Sequence, residues 1–187
     1  KNVLHRIEDL VEKIDDLKNY FLNNKLNYIK SRSLKILHVS NFDEKNDHRL
    51  FNISIANKLS KGFVKNNHDI VNFSYRDFNN KALIKNDSLL NRKVYNIAAN
   101  YRPNLILLGH NNILNIETIN SIKKKYNSKI ALWYEDHLVN GGPNYKNNLN
   151  LIEKNFDLID HYFVTTHPDS IKTKIPKNLH PNMHWCS

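Results

Sequence analysis

Cysteine and glycine are both scarce in this chain: Cys occurs once and Gly four times in 187 residues. A lone thiol, Cys186, rules out an internal disulfide framework and fits a reducing compartment, so a cytoplasmic setting is expected. The first loop after an apolar run, Ser40-Asn41-Phe42-Asp43, contains no glycine. A dinucleotide fingerprint needs glycines there, for the turn and for close approach to pyrophosphate. An NAD or FAD domain is therefore not expected, and the lack of a Walker-type phosphate loop excludes a P-loop ATPase. The sequence has no nucleophile elbow, so a serine hydrolase is disfavoured. It has no compact His/Glu ligand motif either, so no metal site is expected. No apolar stretch approaches membrane-spanning length, and no signal peptide is visible.

The charge balance is one-sided. The formal net charge is +10, from 22 Lys and 6 Arg against 18 acidic residues, and Asn reaches 32. Heavy use of Lys, Asn and Ile is what an A/T-rich genome produces. The cations are spread among Asp and Glu, whereas nucleic-acid surfaces cluster Arg and Lys on one face. The one dense run, Lys123-Lys124-Lys125, reads as a solvated helix end. No nucleic-acid partner is expected.

What the chain does have is a series of short apolar runs, each ending in small or polar residues. They lie at 34–40, 69–74, 104–108, 129–134 and 158–164, with helix-length segments between them. This is the pattern of an α/β protein: a Rossmann-like parallel sheet with helices on both faces and its chemistry at the carboxyl ends of the strands. Helices are expected over 48–66, 89–101, 116–126 and 145–155, the third capped by Asn112 or Asn115. Residues 41–47 read as a polar loop, and 78–88 are ambiguous. Arg102-Pro103 is expected to leave the second of these helices in an extended conformation. A short helix after Pro168 and a last strand near Met183-His184-Trp185 complete the series.

Ahead of this domain, Val3, Leu4, Ile7, Leu10, Val11, Ile14, Leu17 and Phe21 recur at helical spacing, with charges on the other face. The expected organisation is an amphipathic helix and connection over 1–33, then the α/β domain over 34–187. The helix is expected to pack on its own domain or a missing one, or to pair chains as a short coiled coil.

Candidate site residues lie on the rim. Arg76, in Ser74-Tyr75-Arg76-Asp77, can hold a carboxylate, a phosphate or sugar hydroxyls through its fork, or can pair with Asp77. Gly109 allows close approach of a ligand. His110 can act as a base, or can simply cap the loop. Trp133-Tyr134-Glu135-Asp136-His137 is the densest cluster, with aromatic faces beside carboxylates that suit a polyhydroxylated ligand. Strand alternation sends Trp133 and Glu135 to one side and Tyr134 and Asp136 to the other, so one carboxylate is expected to be structural. His167, after Thr165-Thr166, approaches the same rim.

Several stretches together resemble the amino-terminal half of bacterial GT-B glycosyltransferases of the spore-maturation-protein type. They are 35–41 (KILHVSN), Arg49-Leu50-Phe51, 59–77 (LSKGFVKNNHDIVNFSYRD), 102–110 (RPNLILLGH), 130–136 (IALWYED) and 163–166 (FVTT). Ser74, Arg76 and Asp77 match a Ser-x-Arg-Asp of that family. Trp133 and Asp136 match a Trp-x-x-Asp-Pro, with His137 at the proline position. The resemblance implies an acceptor-side domain of a two-domain enzyme that transfers a sugar from a nucleotide-sugar co-substrate, without a bound cofactor or metal, to an acceptor hydroxyl. With the rim reading it points to Asp136 or His110 as base, and to Asn41, Asp43, Arg76, Trp133, Glu135 and His137 as the substrate-binding rim. The donor-binding domain is expected to lie beyond Ser187, leaving this piece inactive alone. The competing expectation is a non-catalytic binding or assembly module that uses the 3–21 helix as its partner surface.

Overall fold

The computed structural model describes residues 33–42, 54–81, 87–109, 114–155, 157–171 and 183–186. The chain divides into two units, Lys1–Ser33 and Leu34–Ser187, and the described elements belong to the second. The amphipathic segment 3–21 lies outside the described residues.

Six strands form the sheet: β1 (Lys35–Ser40), β2 (Asp69–Ser74), β3 (Leu105–Gly109), β4 (Lys129–Tyr134), β5 (His161–Val164) and β6 (Met183–Trp185). Six helices accompany them: α1 (Ile55–Lys65), α2 (Tyr75–Lys81), α3 (Asp87–Tyr101), α4 (Ile116–Tyr126), α5 (Tyr145–Lys154) and α6 (Pro168–Ile171). All strand pairs are parallel, in the order β2-β1-β3-β4-β5-β6. The order reverses direction between β1 and β3. This is a Rossmann-like, doubly wound α/β domain, and the reversal is where such sheets open a crevice above their strands.

The strands alternate strictly. Leu37, Val39, Ile106, Leu108, Ile130, Leu132, Tyr134, Tyr162 and Val164 point to one face and pack with Leu90, Val94 and Ala98 of α3, Ile119 and Ile122 of α4, and Leu149 and Ile152 of α5. Ile36, Leu107 and Ala131 point to the other face, where Leu59 and Phe63 of α1 meet them. Central strands apolar on both faces mark a sheet covered on both sides.

Local chemistry sets the helix ends. Ser54 accepts from the Asn57 amide at 3.4 Å and caps α1. Asn115 accepts from the Thr118 amide at 2.9 Å and caps α4, which ends in left-handed Asn127. Asn67, Asn127 and Asn144 all take positive φ, at 63°, 52° and 48°. Residues 48–53 of the expected first helix lie outside the described residues.

Two expectations are corrected, and a helix follows β2 where none was assigned. Arg102 is not extended but left-handed, with φ 51°, because its amide still donates to Ala98 O at 2.9 Å and closes α3. The fifth strand starts at His161 rather than 158, because the Leu158 and Ile159 amides donate back to Asn155 O at 3.0 and 3.2 Å and extend the turn of α5. The segment after β2 is helical from Tyr75, so Arg76 and Asp77 sit in the first turn of α2, where a carboxylate is favoured.

Side chains at the amino-terminal edge of the sheet bond the starts of its strands. Asn104 accepts from the Lys35 amide at 2.8 Å through its side chain, and its backbone exchanges bonds with Lys35 and Lys129. Asp160 accepts from the Ile130 amide at 2.8 Å and lies 3.2 Å from both Lys123 Nζ and Lys129 Nζ. Burial opposes its charge, but the Ile130 amide and the two lysines win and hold the carboxyl below its ordinary value. A carboxyl lowered in the native state adds stability above its unfolded pKa and loses it as pH falls through the native one. Asp160→Asn is expected to cost about 1–3 kcal/mol at neutral pH and less in acid, measured by urea denaturation across pH.

Candidate functional site

The carboxyl ends of β1 and β3 meet where Gly109 lies against the Ser40 side chain. A Cβ on Gly109 would lie 2.3 Å from Ser40 Oγ. Just beyond it the chain leaves β1 through Asn41 and Phe42. The Phe42 amide donates to Ser74 Oγ at 3.2 Å, tying this exit to the end of β2. The Phe42 ring is fully buried and stands edge-on to His38 at 4.9 Å. Between these anchors the Asn41 side-chain oxygen is buried with no hydrogen-bond partner. An orphaned acceptor beside the strand-order reversal is a natural binding point for a donor group of a ligand.

His38 supports the exit from below. Its Nδ1 lies 2.9 Å from Ser60 Oγ, and Ser60 donates on to Asn72 Oδ1 at 2.9 Å. Ser60 spends its proton on Asn72, so His38 must carry hydrogen on Nδ1, leaving a bare Nε2 with no partner. Burial lowers this imidazole from 6.5 to about 4.

Tyr75 of α2 and Tyr134 of β4 lie on the same face of the rim. The Tyr75 phenol is pushed up mainly by burial, drawn down by Arg76 and pushed up again by Glu135. Tyr134 is pushed up to about 12 by burial first, then by Asp136 and Tyr75. One cation and two carboxylates are thus within electrostatic reach of a pair of phenols. Arg76 is exposed at the mouth, Asp77 is buried beneath it, Glu135 is exposed and Asp136 is half-buried.

The loop after β4 is held by two threonines just beyond β5. The Thr165 hydroxyl donates to Glu135 O at 2.8 Å, and the Leu138 amide donates to Thr166 Oγ1 at 2.7 Å. Exposed His137 turns the loop back, and its carbonyl lies where a Cβ on Gly142 would intrude, at 1.9 Å. Trp133 points to the opposite face, against the Ile36, Leu107 and Ala131 cluster, with its indole N–H buried and without a partner. His167 Nδ1 accepts from the Asp169 amide at 3.2 Å, and the ring stands edge-on to Trp185 at 5.0 Å. Asp43 and His110 lie outside the described residues.

The rim thus gathers Arg76, Glu135 and Asp136, while Asn41 faces its own anchors at the end of β1. The sequence reading did not single out the tyrosines as site residues, or Ser40, Ser60, Thr165 and Thr166 as supports. Tyr134 was legible through strand alternation, which puts it beside Asp136. The hydroxyl contacts carry no sequence signal, since each joins residues far apart in the chain.

His38 makes stability pH-dependent. Both states are neutral at high pH. As pH falls through 6.5 the unfolded chain takes up a proton that the folded chain refuses until about 4, so stability is lost within that window. The loss reaches on the order of 3 kcal/mol at the acid end. His38→Leu is expected to flatten this component when denaturation midpoints are compared across the window.

No family model matches the chain, and no curated protein or solved structure was found to match it.

Proposed function

We propose that this domain binds a polyhydroxylated acceptor at the carboxyl-terminal rim and serves as the acceptor side of a GT-B-type glycosyltransferase. The observation that carries the reading is the grouping of Arg76, Glu135 and Asp136 around Tyr75 and Tyr134, beside the reversal of strand order. Carboxylates and phenols accept and donate to sugar hydroxyls, and a guanidinium adds a fixed donor fork. The resemblance of Ser74, Arg76, Asp77, Trp133 and Asp136 to the spore-maturation-type transferases supplies the reaction class.

On this reading Asp136 takes the proton of the acceptor hydroxyl as its oxygen attacks the anomeric carbon, with His110 the other candidate base. The sugar–phosphate bond breaks and the nucleotide leaves. Arg76, Glu135, Asn41 and His137 orient the acceptor, with Asp43 on the same rim. Trp133 acts from behind, as packing beneath the loop. The nucleotide-sugar is held mainly by a second domain outside these 187 residues. Among the described residues no helix is long and apolar enough to cross a membrane.

The intact gene product is the material to test. Incubated with a panel of nucleotide sugars, it is expected to release nucleotide from one donor. Asp136→Asn is expected to lower that turnover at least a hundredfold while melting stays within a few degrees of wild type. Unchanged turnover in a folded variant removes Asp136 from the chemistry. A folded wild type that neither releases nucleotide nor shifts its melting with any donor shifts the reading to a non-catalytic binding or assembly module.

A further inference from the structure

At the far edge of the sheet, β5 and β6 carry an imidazole pair that the proposed reaction does not use. His161 Nδ1 lies 3.1 Å from His184 Nε2. The register explains the approach. Phe163 is the partner of His184, so His161, two residues earlier, projects from the same face on the diagonal. The Phe163 ring stacks against His184 at 5.0 Å and 29°, fixing the plane of that imidazole. The two histidine rings are 5.3 Å apart and tilted by 40°.

That nitrogen separation suits one metal ion as well as one shared proton. Imidazole binds divalent transition metals at about 2.0–2.1 Å, so two neighbouring ligands of one ion stand about 3 Å apart. We infer that His161 and His184 form a bidentate site for an imidazole-preferring divalent ion such as Cu2+ or Zn2+, with water completing the shell. Among the described residues no third His, Cys, Asp or Glu joins a metal-binding group. On these two ligands alone the ion exchanges with solution rather than sitting in a closed structural centre. Burial, and then the neighbouring His161, lower the His184 imidazole, which favours the neutral ring a metal binds, and the proton shared between the two nitrogens leaves as the ion enters. Cu2+ binds tighter than Zn2+ at such nitrogen ligands. A bound ion also clips the edge strand β6 to β5, so it stabilises the fold by mass action.

The test uses the full chain without a histidine tag. Cu2+ is titrated and the paramagnetic resonance spectrum is read for two bound nitrogens. Wild type is expected to show that spectrum with the first equivalent of metal. His161→Gln and His184→Gln are each expected to weaken this site at least tenfold, and the double variant no further, because losing either ligand destroys the chelate. Saturating Zn2+ is expected to raise the melting temperature of wild type and of neither variant. His161 is exposed, so His161→Gln decides the matter even where His184→Gln perturbs β6. Equal metal affinity in wild type and His161→Gln, or losses that add in the double variant, overturns the chelate. The outcome is independent of glycosyl transfer, which the donor panel reads separately.

Discussion

The register of this parallel sheet rests on side chains that bond the first residues of its strands. Parallel strands have no tight turn to fix their alignment, and a slip of one residue would exchange the two faces. Asn104 and Asp160 take up that task, one between β1, β3 and β4 and the other between β4 and β5. Because these bonds lie at the amino-terminal edge, the opposite edge is left to polar loops. The site is open because the fastening is elsewhere.

The rim is then shaped by hydroxyls rather than by glycine-rich turns. Ser40 lies against Gly109, Ser74 accepts the Phe42 amide, and Thr165 and Thr166 bond the backbone on either side of Asp136. Each is a short side chain at a strand end, with few rotamers to lose on ordering. Beneath them the buried His38 and Ser60 run out to exposed Asn72 in a polar chain between α1 and the sheet. The bare Nε2 at its end is a standing cost, and burial keeps that histidine neutral.

Much of the fold was legible in the sequence. The run Lys129–Tyr134 and the helix Ile116–Tyr126 fall where their apolar spacing and Asn caps place them. The misplaced start of β5 shows the limit: Leu158 and Ile159 are apolar enough for a strand, yet two backbone bonds to Asn155 hold them in the turn. Arg102 is similar, since a helix-closing bond outweighed the preference of a residue before proline. At the rim, Arg76, Glu135 and Asp136 could be chosen as charged residues beside strand ends. The electrostatic influence of Glu135 on Tyr75 across the intervening strands could not, because side-chain reach over a sheet leaves no local pattern. For the same reason the sequence does not show that His161 and His184 meet.

The left-handed corners at Asn67, Asn127 and Asn144 have a consequence for the unfolded chain. Most proteins place glycine at such corners, and glycine leaves the unfolded state with more conformations to lose. Asparagine tolerates the same geometry while restricting the unfolded chain, so a sequence poor in glycine gives up less entropy when it folds. Asparagine is also among the thermolabile residues that heat-adapted proteins shed. The residue that lowers the entropy of folding at these corners is thus also one that heat degrades.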